Sequence, residues 1–175
     1  MKYLRRFIWF LASRLFVIVL ILGLITIAFY FSMNLSNIYV IIKDGMAQRA
    51  QVVLMNAEED KLEDYFSPGY LARDPVLATI KDGTNPYVRY DITGIDHRVK
   101  LEWMWSWPWD DTARARVVES IPKIDGRILS SYKAQTPQDM QAVPRWESGR
   151  YEIVLSREGG RWRIINMVKL AGTVE

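Results

Sequence analysis

Residues 15–34 read LFVIVLILGLITIAFYFSMN, and no charged side chain occurs anywhere from Leu15 to Ile42. Twenty helical residues at about 1.5 Å each cover roughly 30 Å, the thickness of a bilayer's hydrocarbon core. A helix buried inside a soluble protein is seldom so long or so apolar on every side. The stretch predicts a transmembrane helix, and it divides the chain into an anchor and a body that must fold without it.

The flanks give the anchor a direction. Arg14 stands one residue before the apolar run. At mid-membrane it would cost about 2.5–3.5 kcal/mol, so its long stem is expected to carry the charge back to the boundary. Ahead of it, MKYLRRFIWFLAS (1–13) suits the headgroup layer, with Tyr3 and Trp9 as interfacial aromatics. Arg5, Arg6, Trp9 and Arg14 are the expected anchoring side chains. Lys2, Arg5, Arg6 and Arg14 precede the span, whereas Lys43 beside Asp44 follows it; this asymmetry puts the N-terminus in the cytoplasm and the body outside the cell membrane. The apolar run exceeds the 7–15 residues, roughly, of a cleaved signal peptide, and its exit, AFYFSMNLSN (28–37), has no small-x-small cleavage pattern. The expected organisation is a basic interfacial segment (1–14), an uncleaved signal-anchor (15–34) and an extracytoplasmic domain (35–175).

Charge and composition narrow the function classes. The net charge of +3 comes from the anchor: four of the 23 basic residues lie in 1–32, where no acid occurs, leaving nineteen against twenty acids. A near-neutral body offers no electrostatic footprint for nucleic acid. The absence of cysteine removes disulfides, thiolate metal sites and a cysteine nucleophile. With 50% hydrophobic and 25% charged residues the body has the composition of a folded domain.

Past the span, Leu35, Ile38, Tyr39, Ile42, Met46, Ala50, Val53 and Leu54 recur at helical spacing, although Gly45 weakens the prospect of one unbroken rod. Asn56 followed by Glu59 fits an N-cap box opening a second helix, with Leu62, Tyr65 and Phe66 on its apolar side and Ser67-Pro68-Gly69 at its end. A short helical piece, YLARDPVLATI (70–80), precedes the turn KDGTNP (81–86). The period then becomes two. Val99, Leu101, Trp103 and Trp105 share one face, and TARARVVESI (112–121) alternates Ala113, Ala115 and Val117 with Arg114 and Arg116. These form an expected hairpin with large Trp opposite small Ala. RYEIVLS (150–156) and RWRIINMVKL (161–170) around Gly159-Gly160 form a second, and the polar stretch 130–148 between the hairpins reads as a loop. Helices followed by a strand meander predict an α+β domain with helices packed on one face of an antiparallel sheet.

This order resembles the nuclear-transport-factor-2-like superfamily, a cone fold in which helices fill the concave side of a curved antiparallel sheet. DKLEDYFSPGYLARDPVL (60–77) and YEIVLSREGGRWRIINMVKL (151–170) are similar to its second helix and closing hairpin, and the likeness covers residues 37–170. Members include small-molecule enzymes, membrane-anchored domains of penicillin-binding proteins, and scaffold subunits of secretion and sporulation channels. The anchor-plus-cone arrangement looks like the latter two groups. With the uncleaved anchor, the neutral compact body and the absence of a chemical cluster, the expected function is a non-enzymatic interaction or scaffold module of a bacterial cell-envelope complex, with the bilayer, other envelope proteins and further copies of itself as candidate partners and no cofactor. A domain binding a glycan or hydrophobic molecule is the alternative.

LEWMWSWPWDD (101–111) places Trp103, Trp105, Trp107 and Trp109 on every second residue. By parity with Val99 and Leu101, Trp103 and Trp105 are expected in the core, where an aromatic buries about 150–250 Å². Pro108 ends the strand, so Trp107 and Trp109 belong to a hairpin tip. They can fold back on the domain, meet a protein or glycan partner, or touch bilayer headgroups; Asp110 and Asp111 disfavour an anionic membrane. His97 is the sole histidine, which leaves no His cluster for a metal. Enzymes of the superfamily often place an Asp/His pair in the cone, and the resemblance makes His97 with Asp91 or Asp96 the candidate for proton transfer. The acidic run 58–64 reads as a solvated helix start and IDGR (124–127) as a tight turn.

Overall fold

The computed structural model describes residues 2–138 and 141–170. Helix α1 (Lys2–Met55) is one unbroken helix of 54 residues, about 80 Å long. Among the described residues it is the one helix long and apolar enough to cross a membrane. Its first part is exposed all round, from Leu15 through Tyr30. Its last five turns bury Ile38, Ile42, Met46, Ala50, Val53 and Leu54, the i, i+4 stripe that the spacing predicts. Gly45 does not interrupt the rod. A Cβ there would lie 2.9 Å from Tyr65 Cβ, so the glycine admits the following segment against the helix.

Asn56 ends α1 in the left-handed conformation, φ 53°, which its short polar side chain tolerates. This corrects the expected N-cap. The next segment is a 3₁₀ turn, Glu59–Asp64, with no side-chain cap, although Leu62 and Phe66 are buried as the apolar spacing requires. Ser67-Pro68 likewise begins a helix and does not end one. The Ser67 hydroxyl accepts from the Tyr70 N–H and Pro68 takes the first position of α2 (Pro68–Leu71). Asp74 and Pro75 then split the expected single piece, since Asp74 caps α3 (Pro75–Lys81) by accepting from Val76 N at 2.9 Å.

The strands form two antiparallel sheets, where one had been expected. Strand β1 (Tyr90–Ile95) is followed by β2 (Arg98–Trp105), β3 (Thr112–Ser120) and β4 (Ile124–Ile128). After the short α4 (Ser130–Lys133) come β5 (Gly149–Glu158) and β6 (Arg161–Leu170). The larger sheet has the order β2-β3-β5-β6, and β1 pairs with β4 alone. Residues 124–127 are thus strand, not a tight turn. A Cβ at Gly126 would lie 2.9 Å from the Asp91 carbonyl oxygen, so only glycine lets β1 and β4 approach there. Both expected hairpins form, the second through Gly159 and Gly160 at φ 58° and 82°, the sign that a two-residue hairpin turn of the primed type needs.

The core lies between the last turns of α1 and the inner face of the larger sheet. Ala113, Ala115 and Val117 of β3, Tyr151, Ile153 and Leu155 of β5, and Trp162 and Ile164 of β6 are all buried there. The edge of β6 is covered by Tyr65–Ser67: Ile164 N donates to Tyr65 O at 2.8 Å and Ser67 N to Ile164 O at 2.9 Å. Pairing removes the open edge on that side.

Candidate functional site

The tryptophan run is the first candidate, and its geometry overturns the parity argument. Along β2, Leu101 pairs with Val117, but Trp103, not Glu102, pairs with the next residue back, Arg116. This β-bulge inserts one residue and inverts every side chain after it. Met104 takes the inner place opposite Ala115, while Trp103 and Trp105 stand outward opposite Arg116 and Arg114. They are 50% and 46% exposed, so neither is a core residue. Trp107 and Trp109 lie in the β2–β3 connection and are also exposed.

The tip meets α1 where the apolar segment ends. Phe31 touches Trp105 and Trp107 at centroid distances of 5.8 and 6.1 Å. Trp107 contacts Trp105 edge-on and stacks on Trp109, each at 5.2 Å. Three residues further along α1, Asn34 is buried at the meeting point of four elements. Its Nδ2 donates to Ser106 Oγ at 3.3 Å and the Trp107 carbonyl at 3.5 Å. Its Oδ1 accepts from Arg157 Nη2 at 3.0 Å and Trp162 Nε1 at 3.2 Å, and the Arg157 guanidinium covers the Trp162 ring. One amide therefore ties the helix to the hairpin tip, β5 and β6.

Two further buried polar assemblies lie among the described residues. Arg49 lies bidentate on Asp74, at 2.6 and 2.9 Å, with both side chains almost fully buried. Burial by itself works against both charges. The hydrogen bonds and mutual attraction of the pair outweigh it, raising the Arg49 pKa and lowering that of Asp74. Glu119, fully buried, has Oε1 3.0 Å from His97 Nε2 and accepts from Trp146 Nε1 at 3.3 Å through Oε2. His97 does point inward, but its carboxylate is Glu119. Asp96 pairs with Arg98 and Asp91 with Arg127 on the surface, so the structure does not assemble the expected His97–Asp91 or His97–Asp96 pair.

A cavity of about 360 Å³ includes Arg49, Tyr70, Tyr87, Trp146, Tyr151 and Lys169 in its lining. Burial pushes the Tyr151 phenol up to about 12, helped by the charge of Glu119, and burial raises Tyr70 and Tyr87 also. These hydroxyls are therefore neutral donors at physiological pH. The aromatic walls suit an aromatic or amphipathic ligand; Arg49 is paired with Asp74 and Lys169 with Glu147, while Arg145 also lines the cavity.

Of the expected anchoring residues, Arg6, Trp9 and Arg14 are exposed on α1, with the Arg14 guanidinium over the Phe10 ring. The Arg5 side chain lies outside the described residues. Arg49 and Glu119 had a readable signal: Arg49 follows Met46 by three on the apolar stripe, and Glu119 continues the inward parity of Ala115 and Val117. Asn34 had none, being one polar residue among several where the apolar run ends. No protein-family model matches this chain, and none of the curated proteins does.

Proposed function

We propose that this chain is a single-pass membrane protein, N-terminus in the cytoplasm, whose α+β domain serves outside as an interaction and scaffold module of a bacterial envelope complex. One observation carries the reading. The helix with the apolar segment continues without a break into the core of the domain, and Asn34 locks the junction. A domain rigidly continuous with its anchor is held at a set height and orientation, as a scaffold requires. The charge asymmetry of the flanks supplies the sidedness. Purification of the full-length protein from native membranes in mild detergent should recover defined envelope proteins, or further copies of itself, in constant stoichiometry. Recovery of the monomer alone would count against the proposal.

A second reading rests on the aromatic cavity: the domain binds a glycan fragment or a hydrophobic molecule between Tyr87, Trp146 and Tyr151. Titration of the full-length protein in detergent with peptidoglycan fragments, and separately with lipids, should then shift the fluorescence of Trp146. A Trp146→Phe variant that loses the shift would locate it, and an absent shift at millimolar ligand would dismiss this use of the cavity.

A further inference from the structure

We infer that the β2–β3 hairpin tip is a second membrane contact, with Trp105, Trp107 and Trp109 seated among the lipid headgroups at the outer boundary of the bilayer. The inference rests on the reading of residues 15–34 as a membrane span. Because α1 is a continuous helix, the level of each residue along it follows from the rise per residue. Leu15–Asn34 covers roughly 30 Å, and Phe31 lies within about 5 Å of its outer end. Trp105 and Trp107 touch Phe31, and Asn34 holds the Trp107 carbonyl, so the tip is fixed at that same level. It cannot be lifted away without breaking the buried Asn34 contacts.

The occupant follows from chemistry. Trp105, Trp107 and Trp109, 46%, 41% and 68% exposed, form one run of touching rings, and water alone is a poor neighbour for such a patch. The indole ring, apolar with one N–H donor, is favoured where acyl chains meet headgroups. Charge at the tip is mixed, with Asp110 and Asp111 beside Arg114 and Arg116, so contact with a zwitterionic lipid is favoured over attraction to an anionic one. The bulge at Glu102 supplies the device: the register shift turns Trp103 and Trp105 out of the core and toward this surface. Two contacts, helix and tip, then fix the tilt and rotation of the domain on the membrane.

The test uses the natural absence of cysteine. Full-length Asp111→Cys, which keeps all four tryptophans, and Lys123→Cys, at the opposite end of β3, each receive an environment-sensitive fluorophore. Gly23→Cys, within the apolar run and open on all sides, reports on the span itself. The proteins are reconstituted in phosphatidylcholine nanodiscs with nitroxide-bearing lipids. The label at 111 should be quenched severalfold more than that at 123, most strongly by nitroxides near the headgroup, and adding anionic lipid should not increase it. Trp109→Ser in the Asp111→Cys background should weaken the quenching. Equal quenching at 111 and 123, or quenching indifferent to Trp109→Ser, would overturn the lipid contact and leave the patch to a protein partner. Failure of deep nitroxides to quench the label at 23 would instead refute the span, and this proposal with it.

Discussion

The indole N–H of Trp162 on β6 donates to Asn34 Oδ1 on α1, 3.2 Å away and buried. That contact, shared with Arg157, makes the helix and the sheet one body where the apolar segment ends. Replacing Asn34 with Leu strands the Trp162 donor and the Arg157 guanidinium. A buried donor without a partner costs about 1–3 kcal/mol, and urea unfolding of the detergent-solubilised protein should fall by about that amount. Spin-label distances between the apolar segment and the domain should also broaden, which a general loss of core packing elsewhere would not produce.

Arg49 and Asp74 provide a sharper energetic test. Removing one partner, as in Arg49→Met, leaves a charge buried alone and should destabilise the domain by about 3–5 kcal/mol. The double variant Arg49→Met/Asp74→Asn removes both charges, and asparagine is as good a helix cap as aspartate. It should recover most of the loss, so the two changes are strongly non-additive in a double-mutant cycle.

The same pair sets an acid limit. Burial would raise the Asp74 carboxyl, but the Arg49 bonds and charge hold its folded pKa below the ordinary value. A group depressed on folding stabilises fully above its unfolded pKa, here about 3.9, and loses that stabilisation as the pH falls through the folded value. Stability should therefore be flat in this contribution at neutral pH and drop steeply below about pH 4. The double variant should show a shallower acid descent, measured by denaturant midpoint against pH.

Glycine substitutions in α1 should separate by position. Gly23→Ala meets nothing within 4 Å, whereas Gly45→Ala sets a Cβ 2.9 Å from Tyr65 Cβ. Alanine gains up to about 1 kcal/mol in helix propensity, while overpacking costs about 1–3 kcal/mol. Thermal unfolding should show Gly45→Ala destabilised and Gly23→Ala unchanged or slightly more stable.

Several elements were readable because their causes are local. The apolar stretch 15–34, the stripe from Ile38 to Leu54 and the two hairpins follow from side-chain type at fixed spacing. The misread caps share a different cause. Asn56, and Ser67 with Pro68, are residues that serve either end of a helix or a turn, and which use prevails depends on what the flanking chain can pack against. Residues 124–127 looked like a turn because Asp-Gly is a turn signal, yet Gly126 is there to admit Asp91 and Ile92 of β1.

Sequence by itself determined that the chain carries an apolar rod, that helices precede antiparallel strands, and that the basic excess lies in the short segment ahead of the rod. Tertiary structure decided which way the tryptophans face, which carboxylate meets His97, and which amide joins rod to sheet. The physical reason is the same in each case. Parity and periodicity propagate along the chain until one inserted residue, Glu102, resets them, and a buried polar group finds its partner across space, where spacing along the chain carries no information.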